Sequence, residues 1–375
     1  MKTYLIDPRN TTKPYNFCFL SGLKKKKYPF IFLGHIPNSW GKHSPVKENN
    51  LFLPLSRGIF ENKRAQRFIA NQTQTAEMFF GHLRLRARLK KGSILHFLWF
   101  TAPSIEQYII PRLNKARLLH TAHNLLPHRE RAGDYEKFKK LYSFMECVVV
   151  HDKETKKRFK KMFKLPTPVK VIPHGNLEDF YNTFDETSDY ESEELYSKTF
   201  IGLKRPIFLF IGSIKPYKGF DILLDAVKEL NNKGYKYSLV VKDRRKKELK
   251  NLYYLPIELP YSKLGLIYRN VDAVLLPHTK LSQSVTLFEA GYFEKPVIVS
   301  SVGGLKETVR NGKDGFIFTK EDPKSLAEKM ERFIQSSSKE ISNLGKNFKE
   351  HLIEEYSWNR ITEKWIKIYL GNSQP

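Results

Sequence analysis

The chain has 375 residues, of which 41% are hydrophobic and 28% are charged, so it can bury substantial cores and is not broadly disordered. Its two cysteines, Cys18 and Cys147, are too few for a disulfide framework or a cysteine-based zinc site, and no apolar run reaches the roughly 18 residues of a membrane-spanning helix. The 65 basic residues outnumber the 39 acidic ones and give a net charge of +26, which predicts an anionic partner.

In the first half of the chain, short β-branched or aromatic runs alternate with helical patterns. The runs are TYLI, PFIFL, SILHFLW, ARLLHTA and CVVV, between residues 3 and 150. This alternation predicts βα units that form a parallel sheet. Between residues 60 and 91 one or two helices are expected, because Phe68, Ala76, Phe80 and Leu83 recur at helical spacing and predict an apolar face.

The second half repeats this architecture with the runs IFLFI, YSLVV, DAVLL and PVIVS between residues 207 and 300. An acidic, polar segment at residues 184–199 separates the two series and is interpreted as a linker or a hinge-side insertion. The predicted fold class is therefore α/β, with two Rossmann-like doubly wound domains that face each other across a cleft. We expect the first domain at residues 1–183, the second at 200–357 and a final helix at 358–375.

The predicted first domain is the basic one. Residues 1–100 contain eighteen Lys and Arg residues against four acids, which is a net charge of +14. An anionic membrane surface is the favoured partner, a lysine-rich solvated surface is the plain alternative, and nucleic acid is not expected because no motif that reads RNA or DNA accompanies the lysines. The residues expected to contact a membrane or a charged acceptor are Lys24, Lys25, Lys26, Lys27, Lys63, Arg64, Arg67, Arg84 and Arg88.

The string FLFIGSIKPYKGFDILLDAVKEL places a strand before Gly212, then Lys215 and Lys218, then Gly219 and an amphipathic helix. This order suits a phosphate site, since glycine permits close approach of the backbone, helix amides point at anions and lysines supply positive charge. A strand-to-helix turn with these residues is also common without any ligand. The pattern alone therefore leaves both interpretations open.

A second string, residues 271–318, is more specific. It begins with a strand that ends in Leu-Pro, which is followed by a Ser-led helix that contains Glu289. Pro296 and the pair Gly303-Gly304 come after this helix. This order resembles the family 4 glycosyltransferases of GT-B fold, of the bacterial cell-surface polysaccharide type. The turn at Gly212 then resembles that family's donor site, and YSWNRITEKWIKIY resembles its closing helix, which crosses back to the first domain.

The resemblance implies a retaining, hexosyltransferase-type glycosyltransferase that moves a sugar from a UDP- or GDP-sugar to an oligosaccharide or lipid-linked acceptor. It would be cytoplasmic and peripherally attached to the inner face of the cell membrane. Lys215, Lys218 and the helix that begins at Ser284 would stabilise the departing diphosphate. No metal and no cofactor are therefore expected.

The same resemblance implies roles for single residues. Glu289 would accept hydrogen bonds from the ribose hydroxyls, with a first-turn helix-dipole carboxylate as the alternative. His123, in TAHNLLPH, would face the transferred sugar, so His123, Lys218 and Glu289 form the predicted catalytic set. The predicted donor-binding residues are Gly212, Ser213, Lys215, Lys218, Ser282, Gln283, Ser284, Val285, Thr286 and Glu289.

The sequence departs from the family pattern at two positions. The family often has a glutamate eight positions before the one matched by Glu289, where this chain has Leu281, and an arginine where it has Ser213. A non-catalytic GT-B subunit that binds a nucleotide or glycan for a partner enzyme is therefore the alternative function. Among the other histidines, His128 is a cap or an acceptor contact, while His151 is expected to hydrogen-bond locally and His174 to mark a tight turn.

Overall fold

The computed structural model describes residues 2–47, 76, 78–127, 130–185, 190–212, 214–242, 247–256, 259, 261–280 and 283–371. These residues divide into two compact units. Met1–Ile172 and Ile361–Pro375 form the first unit, and Pro173–Arg360 forms the second. Within the described ranges, no helix is both long and apolar enough to cross a membrane.

The described part of the first unit contains a parallel sheet of six strands in the order β2-β1-β3-β4-β5-β6. The strands are β1 Thr3–Ile6, β2 Phe30–Leu33, β3 Ser93–Phe97, β4 Ala116–Thr121, β5 Cys147–Val150 and β6 Val169–Val171. The accompanying helices are α1 Lys13–Lys25, α2 at residues 78–88, α3 Pro103–Ile109, α4 Asp134–Ser143 and α5 Lys153–Phe163. Every residue of β3 and β5 is buried, as expected for parallel strands covered on both faces.

Helix α2 buries a different face from the one its spacing predicts. Met78, His82 and Leu85 point inward, whereas Phe80 is 52% exposed and Leu83 is 40% exposed. The prediction of the apolar face was therefore wrong for the described part of this helix. The prediction failed because the helix has two apolar stripes, and the spacing of residues alone cannot tell which stripe packs on the sheet. Phe68 lies outside the described residues.

The described part of the second unit has a parallel sheet in the order β12-β11-β10-β7-β8-β9. The strands are β7 Ile207–Phe210, β8 Ser238–Val241, β9 Leu252–Tyr254, β10 Ala273–Leu276, β11 Val297–Ser300 and β12 Gly315–Phe318. The helices are α6 Glu178–Phe184, α7 Tyr190–Phe200, α8 Phe220–Asn232, α9 Leu264–Asn270, α10 Val285–Tyr292, α11 Gly303–Thr308, α12 Pro323–Gln335 and α13 Ser338–Tyr356. The predicted class of two Rossmann-like α/β domains is confirmed.

The boundary between the units differs from the predicted one. The sequence places the end of the first domain at residue 183 and a linker at 184–199, but the first unit ends at Ile172, and both α6 and α7 belong to the second. Long-range contacts decide this membership: the hydroxyl of Tyr181 on α6 bonds the Glu289 carboxylate, and Asp185 forms an ion pair with Arg269 of α9. The acidic segment therefore carries a helix of the second unit.

The last helix of the described chain, α14 (Trp358–Tyr369), begins in the second unit and continues in the first. Trp358 is buried, and its indole nitrogen donates to the Asn176 carbonyl at 2.6 Å. A Cβ on Gly175 would lie 2.3 Å from the same indole, so the backbone there packs directly on the ring. The change of unit therefore falls at Ile361, three residues later than the predicted start of this segment.

Candidate active site

The turn after β7 is built around two glycines with positive φ. Gly212 has φ +114°, and a Cβ placed on it would lie 3.2 Å from the Lys218 ammonium. A single 3-10 turn, Pro216–Lys218, leads to Gly219, which has φ +67° and is the N-cap residue of α8. A Cβ on Gly219 would lie 1.7 Å from the Pro277 carbonyl oxygen, so the turn packs directly against the chain that leaves β10. Only glycine fits these two positions.

Lys218 is half-buried in this turn, while Lys215 is exposed. Burial lowers the pKa of Lys218, the Glu289 carboxylate opposes that shift, and the positive charge of Lys215 adds to it. The turn therefore concentrates positive charge at the carboxyl end of β7. This is where open α/β sheets bind ligands, at the edge formed by the carboxyl ends of their parallel strands.

Glu289 lies inside α10 and is 5% exposed. Its Oε1 accepts a hydrogen bond from the Tyr181 hydroxyl at 2.8 Å, and its Oε2 accepts one from Tyr268 at 2.6 Å. Burial raises the pKa of Glu289, while the two tyrosines and then Lys218 oppose the rise. As the fifth residue of the helix, it lies beyond the first turn, which argues against the helix-dipole interpretation. Each oxygen retains a second lone pair, so the ribose role stays a prediction.

His278 is a candidate that the sequence analysis missed. It follows β10 beside the lysine turn, which is the turn from Gly212 to Gly219, since the Thr279 amide donates to the Tyr217 carbonyl at 2.8 Å. Its ring is 1% exposed, and burial, followed by the charge of Lys218, lowers the pKa of His278 to about 3. The histidine is therefore neutral at pH 7. Its place directly after a strand that neighbours β7 is the signal that could have identified it.

The start of α10 carries the remaining described donor-site candidates. Ser284 occupies the N-cap position, and both Ser284 and Thr286 are buried. Gln283 bridges two other segments, because its side-chain oxygen accepts from the backbone amide of His174 and its nitrogen donates to the Thr308 hydroxyl at 3.4 Å. Val285, the first residue of α10, is half-buried. Ser213, Leu281 and Ser282 lie outside the described residues.

In the first unit, His123 follows β4 and is paired with a second histidine. Its Nδ1 lies 2.9 Å from Nε2 of His151, and the indole of Trp99 stacks on its ring at 5.1 Å between centroids. His174, in the second unit, stacks on Phe288 at 4.8 Å, and its Nδ1 lies 2.6 Å from the Gly175 carbonyl. His128 lies outside the described residues.

The predicted membrane-contact residues fall in three groups. Lys24, Lys25 and Lys27 are exposed near the end of α1, whereas Lys26 forms an ion pair with Glu363 within the first unit. Its charge is therefore already balanced. The exposed residues of α2 are Phe79, Phe80, Leu83, Arg84, Arg86, Ala87 and Arg88. Lys63, Arg64 and Arg67 lie outside the described residues.

Two further features bear on charged ligands. A cavity of about 500 Å³ in the first unit is lined in part by Lys24, Lys27, Lys47 and Tyr28. Over the part of the chain that the structure describes, no group of three or more His, Cys, Asp or Glu side chains is arranged to hold a metal ion.

Comparison with known proteins shows what the second half of the chain is similar to. Residues 191–351 match the model of the family described as glycosyl transferases group 1. An uncharacterized glycosyltransferase of Methanocaldococcus jannaschii is 28% identical over 169 residues, which are 43% of this chain and 47% of that protein. The N,N'-diacetylbacillosaminyl-diphospho-undecaprenol alpha-1,3-N-acetylgalactosaminyltransferase of Campylobacter jejuni is 26% identical over 199 residues, 52% of this chain and 51% of that protein. The chain thus spans about half the length of these relatives.

Among solved structures, Anabaena HepE in complex with UDP-glucose superimposes with a TM-score of 0.68 at 15% identity, over 99% of this chain and 100% of that one. At this identity the likeness shows the fold, which is the GT-B type with two Rossmann-like domains. The matched family model covers the lysine turn, the buried Glu289 and the start of α10. Residues 191–351 are thus similar to the group 1 glycosyltransferases, in agreement with the resemblance that the string at residues 271–318 shows.

Proposed function

We propose that this protein transfers a sugar from a nucleotide-sugar donor to a glycan acceptor, with retention of configuration at the sugar. The observation that carries the proposal is the half-buried Lys218, whose ammonium lies beside Gly212 at the carboxyl edge of the second sheet. Partial removal of this lysine from water disfavours its charged form, and an anionic ligand bound at the turn would offset that cost. The departing diphosphate of a nucleotide sugar supplies the matching negative charge.

The chemistry of the site supports transfer without a metal ion. As the sugar–phosphate bond breaks, negative charge accumulates on the diphosphate, and fixed donors at that position lower the barrier. Lys218, Lys215 and the backbone amides at the start of α10 would supply these donors, and Ser213 and Ser282 would complete the set. Glu289 would hold the ribose hydroxyls with the lone pairs that its tyrosine partners leave available.

The donor is a UDP- or GDP-sugar, and the transferred unit is a hexose. The solved relative HepE, whose complex contains UDP-glucose, supports this donor class. His123 would contact the transferred sugar. The acceptor is a lipid-linked or free oligosaccharide, which is supported by the diphospho-undecaprenol acceptor in the name of the Campylobacter relative.

The protein would work in the cytoplasm, bound peripherally to the inner face of the membrane. Residues 1–100 carry a net charge of +14, and helix α2 exposes aromatic and aliphatic side chains beside its arginines. Basic residues close to an anionic surface contribute about 1 kcal/mol each, and neighbouring apolar side chains enter the interface. The exposed side chains of α2 suit this mode of binding.

A second candidate function is a non-catalytic subunit that binds a nucleotide or glycan for a partner enzyme. Leu281 stands where the family often has a glutamate, and both oxygens of Glu289 already accept tyrosine hydrogen bonds. Such a subunit would bind the nucleoside diphosphate as the enzyme does. Only transfer or hydrolysis of the donor separates the two functions.

The test combines binding with turnover. Thermal shift with a panel of nucleoside diphosphates and nucleotide sugars identifies the donor, since a ligand of the folded state raises Tm with concentration. With that donor, Lys218→Ala is expected to lose roughly 10²-fold or more in turnover, and Lys215→Ala less. Lys228→Ala is the control, because this exposed lysine on α8 of the same unit pairs with Asp225 at the surface. Wild-type turnover in both turn mutants would refute the assignment, and binding without turnover would select the non-catalytic function.

Membrane attachment is tested by co-sedimentation with vesicles. Changing Lys24, Lys25, Lys27, Arg84 and Arg88 to Glu is expected to release the protein from anionic vesicles without changing nucleotide affinity. Lys26 is left intact because it pairs with Glu363. The control is the same change to Glu at three exposed lysines of the second unit, Lys324, Lys339 and Lys346. Electrostatic binding must weaken between 0.1 M and 1 M salt, so binding indifferent to salt or to lipid charge would contradict the proposal.

A further inference from the structure

Three neighbouring strands of the first sheet bring His123, His151 and Ile172 side by side. Thr121 of β4 is in register with Val149 of β5, so two residues further along each chain His123 stands beside His151. Val150 of β5 is in register with Val171 of β6, and one residue further His151 stands beside Ile172. Parallel strands end at a common edge, so the three residues form a row across it.

Hydrogen bonds connect this row in one direction. Nδ1 of His151 lies 2.9 Å from the Ile172 carbonyl oxygen, and Nε2 of His151 lies 2.9 Å from Nδ1 of His123. A carbonyl oxygen accepts but does not donate, so Nδ1 of His151 carries the hydrogen. In a neutral imidazole the other nitrogen is then an acceptor. Nδ1 of His123 must therefore donate to it.

Burial supports the neutral state on which this direction depends. His151 is 3% exposed, and burial lowers the pKa of His151 to about 4, against the smaller opposing effect of its bond to the Ile172 carbonyl. At neutral pH the ring therefore carries one hydrogen, and the hydrogen bond to Ile172 determines which nitrogen holds it.

We infer that His151 is a positioning residue, which holds His123 in the tautomer protonated at Nδ1 and so makes Nε2 of His123 a hydrogen-bond acceptor. A group that meets this nitrogen of neutral His123 has to bring its own hydrogen. Hydroxyl groups of a sugar do so, whereas an ionised phosphate oxygen does not. The inference rests on the proposed function only where it names a sugar hydroxyl as the substrate group.

Aromatic packing keeps the His123 ring in the required plane. Trp99 stacks on it with an interplanar angle of 9°, and Tyr15 meets it edge-on at 4.9 Å and 89°. Tyr15 also packs against His151 at 5.8 Å. Rotation of the His123 ring would break both aromatic contacts together with the bond to His151, so the pair is held as a unit.

The tautomer is measured directly by two-bond ¹⁵N–¹H correlation NMR of the full chain labelled at histidine. The spectrum of His123→Phe identifies the His123 signals by their loss. At pH 7 we expect Nδ1 of His123 to resonate as a protonated nitrogen and Nε2 as an unprotonated one. The reverse pattern in the wild-type protein would overturn the inference, whether or not any sugar is transferred.

Two variants of His151 test its role. His151→Leu removes the acceptor, so Nε2–H of His123 should appear, while in His151→Gln the side-chain oxygen can accept from Nδ1 and should retain the wild-type tautomer. Turnover should fall about tenfold in the leucine variant, recover in the glutamine variant, and leave nucleoside diphosphate affinity unchanged. His43→Gln, at an exposed histidine of the same unit, is the control. An unchanged His123 tautomer in folded His151→Leu would contradict the inference. If His151→Leu does not fold, loss of the wild-type His123 tautomer in His151→Gln would contradict it.

Discussion

Gly219 and Gly234 lie at the two ends of α8 and allow the steric demand of the lysine turn to be measured. Both have positive φ, +67° and +77° respectively, so alanine at either position lowers the free energy of unfolding by about 1 kcal/mol through backbone strain. At Gly234 nothing lies within 4 Å of the added Cβ. At Gly219 the Cβ would meet the Pro277 carbonyl, with its oxygen at 1.7 Å and its carbon at 2.8 Å.

The clash at Gly219 has to be relieved by moving backbone, because the opposing atoms belong to the Pro277 peptide group. Overpacking of this kind costs about 1–3 kcal/mol beyond the backbone cost. We therefore expect Gly219→Ala to lower the free energy of unfolding by about 2–4 kcal/mol and Gly234→Ala by about 1 kcal/mol. Since both changes lie at ends of the same helix, effects common to α8 cancel in the comparison.

Urea unfolding followed by circular dichroism gives the two free energies, and calorimetric titration with the nucleoside diphosphate gives the affinities. Gly219→Ala should also weaken diphosphate binding, because the turn that moves carries Lys218 and the Tyr217 carbonyl that accepts from Thr279. Gly234→Ala should bind as the wild type does. Equal destabilisation by the two variants, or full affinity in Gly219→Ala, would show that close packing against Pro277 does not hold the turn.

Two further predictions concern buried hydrogen bonds and pH. Tyr268→Phe removes a hydrogen bond to the buried Glu289 carboxylate and should lower the free energy of unfolding in urea by about 1.5–3 kcal/mol. Tyr237→Phe, which removes hydrogen bonds to neutral acceptors, should lower it by about 1 kcal/mol. Equal losses would argue against an ionised Glu289. Burial raises the pKa of Glu106 to about 7, above its ordinary 4.5, so the folded protein retains a proton there that the unfolded chain releases. The contribution of Glu106 to stability is therefore complete below about pH 4.5 and declines as the pH rises to 7. Glu106→Gln should flatten the curve of urea midpoint against pH in this range. A slope equal to that of the wild type would contradict the assignment.

The sequence alone determined the α/β architecture of the protein and its resemblance to glycosyltransferases. Runs such as IFLF and VIVS are apolar because strands of a parallel sheet are covered on both faces, so each can be recognised from a few adjacent residues. The lysine turn could also be recognised from the sequence, because Gly212 and Gly219 adopt a positive φ that the local turn requires. These features are local, which is why a linear reading finds them.

Only the tertiary structure decided which residues meet across long separations. Glu289 receives its hydrogen bonds from residues 108 and 21 positions away, and His123 is paired with a histidine 28 positions away. Such contacts depend on strand register and helix placement, which the burial of whole faces selects and which no short motif encodes. For the same reason the inward face of α2 and the membership of α6 in the second unit could not be predicted: spacing defines a stripe of side chains, and packing decides what covers it.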